Sequence, residues 1–303
     1  VGVHIADVTH YLQPGTVLDE EARQRATSVY LVDRTIPMLP EVLSNDLCSL
    51  RPNEDRLAFS AVFEMDTQAN IKKEWFGRTV IHSDRRFAYH EAQERIETGK
   101  GEYAEEVQTL KAMAEKLRAR RFKAGGIDFN TEEVKFELDE TGKPLRVVIK
   151  RMLEANRLIE DFMLLANVRV SRYLAKPLGA EGKQEEATRT AVYRIHDRPD
   201  PEKLRQLRTF VARYGLEMPK INPTNAESAL RHLLQAAAGT NAENVVKTMA
   251  IRSMAKAEYN TQNIGHYGLA FPFYTHFTSP IRRYPDVLVH RLLQQYIDGQ
   301  KSA

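Results

Sequence analysis

From 153 to 174 the chain runs without a glycine or a proline, and Leu158, Phe162, Leu165, Val168 and Val170 recur at helical spacing. This is the strongest helix signal in the sequence, and an apolar stripe of that length needs a broad surface to cover it. The residues ahead of it supply strands. Segments 57–64 and 75–82 flank the turn-like DTQAN, and segments 136–138 and 146–149 flank DETGKP, which predicts two hairpins. Val3, Ile5 and Val8 read as a further strand, 28–32 as another, and 18–26 as a short amphipathic helix. Helices are predicted over 89–97 and 103–123, the second stopped by Gly125 and Gly126. Beyond the long helix follow a strand at 192–195, helices near 201–214, 226–238 and 242–257, and a Gly-rich strand at 265–270. Strands concentrate in 1–150 and helices in 151–303, without βαβ alternation. That pattern predicts a mixed α+β fold.

The stretch HFTSPIRRYPD at 276–286 sets two guanidinium groups behind a hydroxyl pair and between two prolines. Pro285 cannot donate an intrahelical hydrogen bond, so a helix is expected to start there, with Leu288, Leu292, Leu293, Tyr296 and Ile297 on its apolar face. Arg282 and Arg283 then lie in a tight pre-helix turn, where exposed N–H groups and the positive dipole end favour an anion. Arginine suits a forked grip on phosphate. The alternative is a plain helix start whose arginines pair with carboxylates.

Composition sets wide bounds. The 44 basic and 41 acidic side chains leave a net charge of +3, enough for a local basic channel and no more. The single cysteine, Cys48, excludes an intramolecular disulfide and fits a reducing cytoplasm. Its DLCSL setting predicts a buried structural thiol. No apolar run approaches the ~20 residues that span a bilayer. The opening VGVHIAD reads as the middle of a strand rather than a signal peptide, so a chain cut from a longer one is expected. The polar stretch 176–190 reads as a loop.

Several chemistries lose ground. The nine histidines are scattered, with no His-Glu-x-x-His and no Cys/His grid, so no metal ligands are assigned. Phosphate-loop, dinucleotide-fold and serine-esterase signatures are missing as well. Aromatics near basic or turn residues (Tyr30, Tyr89, Phe129, Tyr274, Phe277 and Tyr284) suit a single-stranded nucleic acid, although each ring taken alone is better explained as core. Glu160 and Asp161 point in different directions from one helix, so at most one can share a site with Arg157. The basic run 118–123 reads as a solvated helix end.

Five segments resemble, in order, the ribonuclease II/R (RNB) family, with bacterial ribonuclease R the nearest type: GVHIADVTHYL, ATSVYLVDRTIPMLPEVLSNDLCSL, NRLIEDFMLLAN, YRIHDRP and HFTSPIRRYPD. The resemblance implies a partial α+β catalytic core of a processive 3′-to-5′ exoribonuclease that degrades single-stranded RNA to nucleoside 5′-monophosphates. It implies magnesium, and cold-shock and S1 domains of the OB type flanking the core. Residue by residue it places Arg282 on the phosphates near the scissile bond, Tyr89 and Glu160 in the catalytic site, and Tyr30 and Phe129 on either side of the stacked 3′-terminal bases. Around Tyr89 the sequence departs from the family pattern, with bulkier Arg85 and Phe87. The family's aspartate cluster for magnesium is expected upstream of this chain, and its later glutamate- and arginine-rich helix is absent, so the fragment alone is expected to be inactive. A different class stays open: an RNA-binding module or pseudo-enzyme that hydrolyses nothing.

Overall fold

Two β-rich segments on either side of a short polar turn build one long hairpin, and the remaining elements gather on it. The computed structural model describes residues 1–127, 133–150, 152–176, 189–222 and 225–300. Strand β1 (Gly2–Ala6) leads through one turn, α1 (Val8–Tyr11), into α2 (Val17–Arg25). The ribbon of β2 (Val29–Tyr30) and β3 (Thr35–Ile36) follows, then a turn of π-helix at Val42–Leu47. Antiparallel β4 (Asp55–Met65) and β5 (Ile71–His82) form the hairpin, and β1 adds to β4 to give the order β1-β4-β5. Asp66 closes its turn by accepting the Asn70 N–H at 2.9 Å. Helices α3 (Tyr89–Thr98) and α4 (Ala104–Lys123), the hairpin β6 (Glu133–Leu138)–β7 (Pro144–Lys150) and the long α5 (Glu154–Leu174) come next. Then follow β8 (Tyr193–Ile195), α6 (Pro201–Ala212), α7 (Ala226–Ala237), α8 (Glu243–Ser253), β9 (Glu258–Asn260), which pairs with β8, and α9 (Tyr284–Ile297).

The sheet's inner face (Val3, Ile5, Phe59, Phe63 and Phe76) receives Leu158, Phe162, Ala166 and Val170 of α5 and Val289 and Leu293 of α9. Each large apolar side chain buried there contributes ~1.5–3 kcal/mol. A separate core of Leu204, Leu207, Leu230, Leu233 and Val246 joins α6, α7 and α8. A third sets Val8, Leu12, Met38 and Cys48 against Tyr284 and Val287, tying the chain's beginning to the start of α9. Burial there pushes the Cys48 thiol up to about 11.

Four expectations change. Segment 265–270 is not a strand: Gly265 and Ala270 take positive φ, and the His266 N–H turns back to the Phe271 carbonyl at 2.8 Å, leaving a 3-10 turn at Tyr267–Leu269. Val8 belongs to α1, because the Asp7 carboxylate caps that turn through the His10 N–H. The strand over 28–32 shrinks to Val29–Tyr30, where the chain reverses to pair with Thr35–Ile36. The basic run at the end of α4 is no solvated end. Arg118 forks between Glu154 and Asp161, and Arg120 holds the β4–β5 turn through the carbonyls of Gln68 and Ala69.

Candidate nucleic-acid site at the start of α9

The turn ahead of α9 is fixed from several directions. Asp286, 0 % exposed in the first turn of the helix, accepts Nε and Nη2 of Arg283 at 2.8 Å each and the Ser279 N–H at 2.7 Å. A carboxylate is favoured at that positive helix end, and the two-pronged arginine pair is the strong geometry. Arg283 thus fulfils the carboxylate-pairing alternative. The helix begins at Tyr284, one residue before Pro285, because the Tyr284 N–H is taken by the Ala26 carbonyl at 2.8 Å. The expected free N–H groups are also spent: those of Arg282 and Arg283 both reach the Ser279 carbonyl, at 3.2 and 3.1 Å. At these two residues any grip on an anion falls to a side chain.

That side chain is Arg282. It is exposed, and among the described residues its guanidinium makes no hydrogen bond or ion pair. Its carbonyl accepts the Ser28 N–H at 3.0 Å and the Thr27 hydroxyl at 2.9 Å. This places the arginine beside the strand that carries Tyr30, whose ring is 61 % exposed.

Behind the turn lies a basic, aromatic interior. The Tyr259 hydroxyl and His276 Nδ1 are 2.7 Å apart, and the Arg194 guanidinium lies 4.7 Å from the Tyr259 ring centre. Burial first, then Arg283, Arg194 and His266, hold His276 down to about 3. His266 is held down to about 4 by burial, His196 and Arg194. Both imidazoles are neutral at pH 7. Asn167 of α5 accepts the Phe277 N–H at 2.8 Å, and His290 of α9 stands 2.7 Å from the Phe277 carbonyl, so two helices grip the segment entering the turn.

The other candidates sit elsewhere. Glu160 lines a cavity of about 320 Å³ with Arg118, Arg121, Arg157, His196 and His266, while Asp161 turns inward to Arg118 at 2.9 Å. His266 links that cavity to the interior behind the turn, its ring 5.3 Å from that of Tyr274. Tyr89, 50 % exposed, opens α3, and among the described residues no hydrogen bond, ion pair or ring contact joins it to Arg282 or Glu160. Tyr274, Phe277 and Tyr284 are buried, so among the described candidates Tyr30 and Tyr89 are the exposed rings. Phe129 lies outside the described residues.

Magnesium does not fit what is described. Among the described residues no group of three or more His, Cys, Asp or Glu side chains could hold a metal ion. The Asp7 oxygens are already engaged by Arg78 at 3.0 Å, the Thr9 hydroxyl at 2.7 Å and the His10 N–H at 3.2 Å. No helix among the described residues is long and apolar enough to cross a membrane.

The mixed sheet-and-helix core is shared with known proteins. The RNB domain family model matches residues 1–299. DIS3-like exonuclease 2 of Schizosaccharomyces pombe is 40 % identical over 97 % of this chain and 33 % of its own length. Ribonuclease R of Thermotoga maritima is 40 % identical over 98 % of this chain and 41 % of its own. The structure of Mycoplasma genitalium RNase R in complex with ribose methylated single-stranded RNA superposes with a TM-score of 0.87 at 29 % identity, covering 98 % of this chain and 46 % of that one. The chain belongs to the RNB, or ribonuclease II/R, family. It spans about a third to two fifths of the length of these two curated relatives.

Sequence reasoning missed Asn167, Arg194, Tyr259 and His276. Asn167 stood in a quoted segment, and its place at the end of an apolar helical run was the available signal. His276 was grouped with the scattered histidines; nothing local ties it to Tyr259.

Proposed function

We propose that the chain is part of the catalytic domain of a 3′-to-5′ exoribonuclease that hydrolyses single-stranded RNA to nucleoside 5′-monophosphates. The observation that carries this reading is the uncommitted Arg282 guanidinium, beside an Arg283 already paired by a buried carboxylate. Arg282 grips the phosphate at the scissile bond and offsets charge as it develops there; removal of one such donor costs ~3–4 kcal/mol of barrier. The exposed Tyr30 ring stacks on a base without reading its identity, as sequence-independent degradation needs. Glu160 accepts hydrogen bonds from the terminal ribose, and Tyr89 completes the site once substrate is bound. The same proposal includes a partial RNB domain, strand-rich over 1–150 and helix-rich over 151–303, cold-shock and S1 domains in the longer protein, a cytoplasmic location, and magnesium ligands outside the described residues.

In the intact protein, Arg282→Ala is expected to bind labelled single-stranded RNA nearly as well as the parent while cleavage falls at least about a hundredfold. Unchanged turnover removes Arg282 from the mechanism.

A further inference from the structure

A second cavity, of about 570 Å³, lies between α4, α5 and the β4–β5 turn, in the size range of about 300–1,000 Å³ typical of small-ligand sites. Leu164, Val168 and Phe271 give it an apolar lining, and Arg120, Arg121 and Arg172 line it as well. Asp161 lines the cavity too but is turned to Arg118 at 2.9 Å, which leaves the charge of the lining arginines only partly compensated. Arg172 is exposed with no ion pair among the described residues, and Arg120 is bonded only to neutral groups, two carbonyls and the Asn70 side chain. Arg121 approaches Glu160 and Asp161 only at 3.7 and 3.9 Å, and its buried Nε has no partner. A further arginine, Arg169, is neutralised by Glu74 at 2.5 Å. Flat apolar walls with forked cations ask for a ligand with a planar ring at one end and a multiply charged anion at the other.

The position narrows the ligand. Arg121 lines both this cavity and the one containing Glu160, and the chain passes from the second at Leu269 to the first at Ala270 and Phe271. We propose that the cavity between α4, α5 and the β4–β5 turn is a second binding site, which takes a nucleoside 5′-monophosphate with its phosphate on Arg172 and Arg121 and its base against Phe271 and Val168. The inference rests on the exoribonuclease reading for the source of the ligand, since the product of that reaction has this chemistry and is released next door.

The test is photolabelling of the intact protein with 8-azido-AMP, alongside equilibrium titrations with AMP, adenosine and inorganic phosphate. Label is expected on peptides covering 164–172 or 270–272. Adenosine and phosphate are each expected to bind at least about tenfold more weakly than AMP, as is AMP to Arg172→Glu, with Arg172→Lys between. Arg172 has no partner to strand, so the variant is expected to melt with the parent. Label confined to the Glu160 wall, adenosine binding as tightly as AMP, or labelling undiminished in Arg172→Glu would each overturn the site. The two readings separate cleanly. If Arg282→Ala stops RNA degradation while Arg172→Glu still labels, only the second site is lost. If Arg282→Ala degrades RNA normally, the exoribonuclease role of that arginine falls and the labelling still decides the cavity.

Discussion

Two helix starts carry side chains assigned to the site, and they are built in opposite ways. Ahead of α9, Arg282 is fastened by Thr27 and Ser28 from the far end of the sequence, and the segment entering the turn is gripped by Asn167 and His290. Ahead of α3, the turn beside Tyr89 is held mainly by near neighbours, the long-range bond of that helix lying further along, where Gln93 accepts the Ala155 N–H at 3.1 Å. Glu91 accepts the Ala88 N–H at 2.7 Å and pairs with Arg85 at 3.2 Å, while the Phe87 ring lies 5.3 and 5.2 Å from the guanidinium groups of Arg85 and Arg95. An arginine that must meet a phosphate at one angle needs a base that does not yield. A ring at the edge of a site can settle when the substrate arrives. The contrast is between tertiary and local bracing, and it can be attacked from either side.

The heaviest blow is Asp286→Ala, which strands a mostly buried Arg283 and frees the Ser279 N–H. A loss of ~3–5 kcal/mol is expected by chemical denaturation, as for other buried pairs broken on one side. A loss below ~1 kcal/mol would mean that the α9 turn is no better braced than that of α3.

Acid comes next. In the unfolded chain His276 titrates near 6.5, whereas in the fold it is held down to about 3 by burial and by Arg283 and Arg194. The unfolded state therefore binds more protons below that ordinary value. Stability from this group is whole above pH ~6.5 and falls with acid by up to ~1.4 kcal/mol per pH unit until the folded value is reached. His266, held down to about 4, acts in the same direction. Unfolding free energies from denaturant titrations at pH 7 and pH 5.5 are expected to differ less in His276→Asn than in the parent, by ~1 kcal/mol. Equal pH sensitivity in the two proteins would show that His276 takes up its proton without loss of structure.

What was legible in the sequence follows the same division. The β4–β5 and β6–β7 hairpins, α3, α4 and the long α5 were readable because alternation, helical spacing and turn residues are properties of neighbours. The 265–270 segment misled because its fate is set by the backbone reversal between Gly265 and Ala270, not by its side chains. The start of α9 was misread by one residue because the carbonyl that takes the Tyr284 N–H belongs to Ala26. In the site, the Arg282–Arg283 turn could be found from its prolines and charges. Which arginine is paired could not, because Asp286 is within reach of either until the turn is closed. The Tyr259–His276 contact and the inward face of Arg118 depend on packing between distant elements.

A smaller effect probes the local side. Glu91→Ala removes the side chain that accepts the Ala88 N–H at the start of α3, and a loss of ~1 kcal/mol is expected, as for other helix caps. Amide exchange is expected to quicken over residues 88–92 and to stay unchanged over 276–286. Quickening at both would join the two starts into one unit.

The smallest expected change is the most discriminating. Arg282→Ala keeps the carbonyl that Thr27 and Ser28 hold, and it strands no carboxylate, so stability is expected to stay within ~0.5 kcal/mol of the parent. Arg283→Ala, one residue on, leaves the fully buried Asp286 without its cation and is expected to unfold far more easily. Adjacent arginines with such different costs are what a turn with one structural and one free guanidinium requires. A loss above ~1 kcal/mol in Arg282→Ala, measured by the same denaturation, would mean that the side chain already has work to do in the resting fold, and the activity of that variant could then no longer be read as chemistry alone.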